Sequence, residues 1–276
     1  MEPIVNTKKT RTGLMLLALT VMAAVPATQV RAQSTARTES ATAELSSGEQ
    51  KLAANSKAGH TTFVLFYTSN DRATQAVYQT LTAETSKRTN ASILPIRAND
   101  PAERGLIERF DVTRTPLPAV FSLASNGAVT GVFSQQIKPE EVEGAIVTVG
   151  YAECIKAMQA NRIVLLCVQP ATRGFVPKGV QQFQADRLYH DRTQVVNISA
   201  TDPAEARFIQ QLRLKSDATT PQVVFMAPPG VLLGTYDANV THGSLIEKLV
   251  AAGKCCDDKN CKHHRTATGA TSTQTR

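Results

Sequence analysis

Tryptophan is absent from this 276-residue chain, and aromatic residues make up only 5% of it. No cysteine precedes Cys154, which removes thiol chemistry and disulfides from the first half of the chain. There is no Gly-rich phosphate loop, no Gly-x-Ser-x-Gly and no His-Glu-x-x-His. The common sequence marks of phosphate binding, hydrolase catalysis and zinc proteolysis are therefore missing. Long apolar runs are scarce as well. The one candidate, Gly13–Val25, is too short to span a bilayer comfortably. Lys8, Lys9 and Arg11 precede it and Val30-Arg31-Ala32 follows, so residues 1–32 read as a secretory signal peptide cleaved before Gln33. No cysteine directly follows the apolar run, so a lipoprotein site is not expected. These features predict an exported protein, periplasmic or secreted, with no membrane span after cleavage.

The formal net charge of +7 is concentrated at the ends. Residues 1–32 carry four basic residues and one acidic, and residues 253–276 carry five basic and two acidic. About +1 remains for the middle, with no clustered basic stripe of the kind a nucleic-acid surface needs. A hydrophobic content of 42% is ample for a packed core. Residues 33–46 read as a polar linker and 253–276 as a disordered Thr/Ser/Gly-rich tail.

What the chain does contain is a repeat. "ANDPAERGLIERF" at 98–110 returns as "ATDPAEARFIQQL" at 200–212, 102 residues later. In each copy Asp caps a helix, Pro takes its first position, and Glu three residues after Asp is expected to reach back to the cap N–H. The flanks stay in register. "TTFVLFY" (61–67) and "RIVLLCV" (162–168) read as strands, followed by amphipathic stretches Asn70–Arg88 and Phe175–His190. Short runs "ASILPI" (91–96) and "QVVNISA" (194–200) come next, then the shared phrase, then "TPLPAVFSL" (115–123) and "TPQVVFMA" (220–227). Turns at Ser125-Asn126-Gly127 and Pro228-Pro229-Gly230 lead into "AVTGVF" and "VLLGTY", and closing helices start near Lys138 and Thr241. Each half thus has the order helix, β, α, β, α, β, β, α. Strands alternating with helices imply βαβ crossovers, and the hairpin adds antiparallel strands.

That order, with Phe63–Tyr67, "RFDVTRTPLPAVF" (109–121) and "ATTPQVVF" (218–225), resembles the thioredoxin fold. The resemblance covers roughly residues 47–252 and implies an α/β protein of tandem thioredoxin-like domains, 47–149 and 150–252, each a mixed central sheet flanked by helices. It further implies that Pro116 and Pro221, preceded by Thr115 and Thr220, are cis and border a peptide-binding groove. Members of that family that are enzymes carry Cys-x-x-Cys after the first central strand, where a helix N-terminus lowers a thiol's pKa. Here the first half reads Thr68-Ser69-Asn70-Asp71-Arg72 and the second Gln169-Pro170-Ala171-Thr172-Arg173, without a thiol in either. Dithiol exchange at those places is chemically excluded. Ser69 has no evident base and reads as part of a helix cap.

Five cysteines remain. Cys154 and Cys167 read as buried free thiols or as a disulfide pair. The others lie in "GKCCDDKNCKHHR", where Cys255, Cys256, Cys261, His263 and His264 fall within ten residues. Thiolate plus imidazole suits Zn²⁺ or Cu⁺, although the spacing fits no derived zinc motif; in an oxidising compartment the same thiols form disulfides instead. The chain therefore reads as a non-catalytic binding or scaffold module for a protein or peptide partner, or else as a redox or metal-handling protein working through its tail.

Overall fold

The structure, a computed structural model, describes residues 45–170, 175–215, 217 and 219–254. The signal-peptide region and the Cys/His cluster of the tail lie outside the described residues. The first half runs α1 (Ser47–Lys57), β1 (Thr61–Tyr67), α2 (Arg72–Thr85), β2 (Ala91–Arg97), α3 (Arg104–Arg109), β3 (Ala119–Leu123), β4 (Val129–Ser134) and α4 (Pro139–Ala145). The second runs α5 (Val149–Gln159), β5 (Ile163–Gln169), α6 (Lys178–Ala185), β6 (Thr193–Ser199), α7 (Ala206–Gln211), β7 (Gln222–Ala227), β8 (Val231–Asp237) and α8 (His242–Lys254).

Each half builds one four-stranded mixed sheet, ordered β2-β1-β3-β4 and β6-β5-β7-β8. The first two strands of each half are parallel, β3 and β7 run antiparallel to β1 and β5, and β4 and β8 run antiparallel to β3 and β7. These are two thioredoxin-like domains in tandem. The central strands "TTFVLFY" and "IVLLCVQ" are buried nearly end to end because helices cover both faces. On one face of the first sheet, Leu106, Ile107 and Phe110 pack on Val64 and Phe66; on the other, Val77, Leu81 and Val142 pack on Phe63 and Leu65. The second domain repeats the arrangement, with Phe208 and Ile209 against Val164 and Leu166, and Val180, Phe183 and Leu245 against Leu165 and Cys167.

The repeated phrase has a job that local reasoning did not assign. Asp100 and Asp202 each accept a hydrogen bond from the N–H two residues on, Ala102 and Ala204, at 2.9 Å, but Pro101–Glu103 is a 3-10 turn and 203–205 a turn, so α3 and α7 begin at Arg104 and Ala206 rather than at the prolines. The glutamates do not reach back to their own caps. Glu103 accepts from the buried Gly48 N–H at 2.9 Å, and the Ser46 hydroxyl donates to its other oxygen at 2.7 Å. Glu205 likewise accepts from Gly150 N–H at 2.7 Å. Each carboxylate therefore sits on the N-terminus of the helix that opens its own domain, where unpaired N–H groups and the helix dipole favour negative charge. Ser46, placed by its sequence at the end of the linker, is the cap of α1, and its side chain accepts from Glu49 N–H.

A cis X-Pro bond is found near one expected position but not at it. Thr115–Pro116 and Thr220–Pro221 are trans; the cis bonds among the described residues are Leu117–Pro118 and Pro228–Pro229. Strand pairing explains the slip. Phe66 pairs with Ala119, and Val168 with Gln222, so the residues entering the third strands are Pro118 and Pro221. The first domain spells Thr-Pro-Leu-Pro where the second spells Thr-Pro, and equating the two Thr-Pro pairs misaligns them by two residues.

The domains are joined along an edge. The Gln159 amide of α5 mimics a neighbouring strand: its oxygen accepts from Val129 N–H at 3.1 Å and its nitrogen donates to Val129 C=O at 2.7 Å. The first residue of the β4 edge is thereby paired from within the chain.

Candidate functional site

The place where the fold family's enzymes carry a dithiol is occupied by a helix cap. Asp71 accepts from Thr74 N–H at 2.9 Å, and the Ser69 hydroxyl donates to the same carboxylate at 2.9 Å. Those bonds, the Thr74 backbone bond first, hold the Asp71 carboxyl below its ordinary range, so it is a poor base for Ser69. In the second domain Gln169 ends β5, and its Nε2 donates to the Phe175 carbonyl at 3.2 Å. Residues 171–174 lie outside the described residues. A shallow cavity of about 490 Å³ beside Tyr67 and Arg97 is lined largely by exposed residues such as Gln75, Tyr78 and Gln79.

Thr115, Pro116, Thr220 and Pro221, the four positions implied to border a peptide groove, line none of the cavities described here. Thr115 is engaged in the turn before β3, its N–H donating to Val112 C=O at 3.1 Å.

A cavity walled by several large apolar side chains lies mainly in the second domain. It measures about 580 Å³, and Tyr151, Ile155 and Met158 of α5, Phe208 and Leu212 at α7, and Met226 of β7 form much of its wall. Tyr151 stacks on Phe208 with ring centroids 4.6 Å apart and planes 12° from parallel, which fixes one side of the opening. Volume and lining fall in the range of ordinary ligand pockets.

Duplication provides an internal comparison. The matching place in the first domain is a cavity of about 400 Å³ lined by Leu52, Leu123 and Ala124 together with Glu49, Ser56 and Arg109, among others. At the 102-residue offset, Glu49 stands for Tyr151, Ala53 for Ile155, Ser56 for Met158 and Arg109 for Gln211. The large side chains of the α5 stripe are thus specific to the second domain, while Leu45, Leu52, Leu123 and Ala124 keep much of the first cavity's wall apolar. These residues escaped the sequence reading, although Tyr151, Ile155 and Met158 are one stripe of α5 beside the core-facing Cys154 and Ala157.

Cys154 and Cys167 are free thiols and fully buried. They belong to clusters on opposite faces of the β5 sheet, which rules out the disulfide considered between them. Burial pushes both thiols up to about 12, with the Glu153 and Glu205 charges adding to the effect at Cys154. Neither is a nucleophile at neutral pH. Among the described residues no group of three or more His, Cys, Asp and Glu is arranged to hold a metal ion. Cys255, Cys256, Cys261, His263 and His264, the expected Zn or Cu ligands, lie outside the described residues.

No family model matches the chain, and no curated protein matches it. Solved structures similar to it include the NTD_N/C domain of alkylhydroperoxide reductase AhpF from Enterococcus faecalis, 16% identical, with 72% of this chain and 95% of that one covered and a TM-score of 0.26. A thioredoxin from Thermus thermophilus is 19% identical over 43% of this chain and 95% of that one, with a TM-score of 0.28. The first two thioredoxin domains of Saccharomyces cerevisiae Eps1p are 12% identical over 72% of this chain and 93% of that one, with a TM-score of 0.24.

Proposed function

We propose that this chain is an exported, non-catalytic module that binds a polypeptide partner, seating apolar side chains of that partner in the cavity between α5 and α7. The observation that carries the reading is the group of large apolar side chains Tyr151, Ile155, Met158, Phe208, Leu212 and Met226 around one cavity, of which the three on α5 are replaced by Glu49, Ala53 and Ser56 in the first domain. The absence of a thiol at residues 68–72 and 169–173 supports binding without exchange chemistry. Export rests on the basic, apolar and small-residue pattern of residues 1–32.

The reading is tested by isothermal titration of the chain from Gln33 onward with an unstructured peptide rich in Phe and Leu, and with a Ser/Gly-rich peptide of equal length. Saturable binding of the first alone is expected. Equal or absent binding of both contradicts it. A second reading, redox or metal handling by Cys255, Cys256, Cys261, His263 and His264, rests on the density of soft ligands there. It predicts one Zn²⁺ or Cu⁺ per reduced chain, lost on Cys261→Ser.

A further inference from the structure

β8 is the outer strand of the second sheet, and its start borders the second domain's cavity: Pro229, Gly230 and Leu232 line it together with Met226 of β7. Val231 and Leu232 are 51% and 53% exposed. From Val231 to Tyr236 the strand holds no charged residue and no proline, two of the devices that keep another strand from adding to an edge.

The matching edge of the first domain shows what such a place takes. Pro118 and Pro221 enter the third strands, so the two hairpins correspond at an offset of 103 residues, and both shift register at the same point, Ser122/Leu123 and Phe225/Met226. Val129 pairs with Leu123, and Leu232 pairs with Met226. Val129 turns its N–H and C=O away from its own hairpin, and the Gln159 amide takes both as a neighbouring strand would. Residues of a non-hydrogen-bonded antiparallel pair aim both backbone groups outward. Leu232 holds the register of Val129, so its N–H and C=O face outward too. Gln135 N–H donates to Pro118 C=O, and counting the ladder from that bonded pair makes Val132 outward-facing, and with it its counterpart Thr235. Among the described residues, no backbone hydrogen bond from outside the hairpin reaches Leu232 or Thr235. Gln159, which covers the first edge, also lines the cavity beside the second, so the open edge continues from an interface already formed within the chain.

We infer that a polypeptide partner binds here by strand addition: an extended segment lies along β8, exchanges backbone hydrogen bonds with Leu232 and Thr235, and sends alternate apolar side chains into the cavity. This inference rests on the peptide-binding function proposed above and specifies its mode. Backbone bonds to the edge are indifferent to sequence, and the pocket beside it selects side chains. Successive side chains of a strand point to opposite faces, so the segment that fits has an apolar residue at every second position. A helical segment does not fit, because its own N–H and C=O groups are already paired along the helix.

The experiment uses the chain from Gln33 onward and a labelled nine-residue peptide with Phe or Leu at odd positions and Ser or Thr at even ones, followed by fluorescence anisotropy. Two further peptides keep every side chain, one N-methylated at odd positions and the other at even ones. Alternate N–H groups of a strand point to opposite edges, so one methylated peptide binds at least tenfold more weakly and the other changes less than threefold. On the native chain, saturating peptide slows amide exchange at Leu232 and Thr235 at least tenfold and leaves Tyr236, whose N–H faces β7, unchanged. Leu232→Pro removes an outward N–H and none of the hairpin's own bonds, and weakens binding at least tenfold, whereas Leu232→Ala, which keeps the N–H, weakens it less. The methylated peptides and the exchange measurement use the native chain, so they decide the matter if Leu232→Pro disturbs folding. Equal affinity for the two methylated peptides, or unchanged exchange at Leu232 and Thr235, overturns strand addition and leaves peptide binding itself standing. No binding of the unmodified peptide removes both. A dimer of the chain that Leu232→Pro dissociates assigns the edge to a second copy and likewise overturns the inference.

Discussion

Glu103 is the residue on which the first domain's opening helix depends, and replacing it tests the long-range role found for the repeated phrase. Glu103→Ala removes two hydrogen bonds to a charged acceptor, one of them from the buried Gly48 N–H. A bond to a charged group contributes about 1.5–3 kcal/mol, and leaving a buried donor unpaired costs its desolvation. The two losses overlap, because Ser46 is only partly buried and water can reach its hydroxyl. The expected cost is about 3–4 kcal/mol, a large share of the roughly 5–15 kcal/mol that holds a domain folded. Glu103→Gln keeps an acceptor for Gly48 but loses the charge at the helix N-terminus, and its cost is about 1–2 kcal/mol. Urea unfolding followed by far-UV circular dichroism measures both, with the first-domain transition moving to lower urea. If Glu103→Ala lies within 1 kcal/mol of the native chain, or if Gln costs as much as Ala, the carboxylate is not the anchor of α1.

Gly48→Ala should destabilise although alanine is the better helix former, because its Cβ would lie 2.7 Å from Ile96 Cδ1 and 2.8 Å from Leu106 Cδ1; Gly144→Ala, with open space around the new methyl, should stabilise by up to about 1 kcal/mol in the same unfolding assay. The two buried thiols make stability fall above pH 9. Raised from 9.0 to about 12, each stays protonated in the fold while the unfolded chain ionises, so about 1.4 kcal/mol per thiol is lost by pH 10 and nothing is lost below pH 8. Unfolding of the native chain and of Cys154→Ala/Cys167→Ala across pH 7–10 shows the difference, the double variant having the flatter profile. Gln159→Ala should raise hydrogen exchange at Val129 several-fold at a cost of about 1 kcal/mol, because it uncovers both backbone groups of an edge residue.

The order of elements was legible because each signal was local and doubled. "TTFVLFY" is a run of β-branched and aromatic residues with one Leu, and β1 occupies Thr61–Tyr67. Asp-Pro marks the approach to a helix twice, and both Asp side chains accept the N–H two residues on, although α3 and α7 begin only at Arg104 and Ala206. What sequence could not show depended on distance. Glu103 meets Gly48, and Glu205 meets Gly150, each 55 residues away, and only the fold brings them together. The Thr-Pro pairs looked equivalent by spelling, but strand register equates Pro118 with Pro221. The apolar cavity was hidden because Tyr151, Ile155 and Met158 look like core positions of an amphipathic helix. They stand out only beside Glu49, Ala53 and Ser56 of the first copy.

The claim that binding belongs to the second domain's cavity is tested most directly by fluorescence anisotropy of one labelled Phe/Leu-rich peptide, titrated against the native chain, Ile155→Lys and Ala53→Lys. Ile155 lines the second-domain cavity, and Ala53 lines its counterpart at the equivalent position of the first domain. A charge placed in the apolar wall should weaken binding at least tenfold, about 1.4 kcal/mol, whereas the same charge at Ala53 leaves Kd unchanged. Equal affinity for all three chains, or loss on Ala53→Lys alone, contradicts the account.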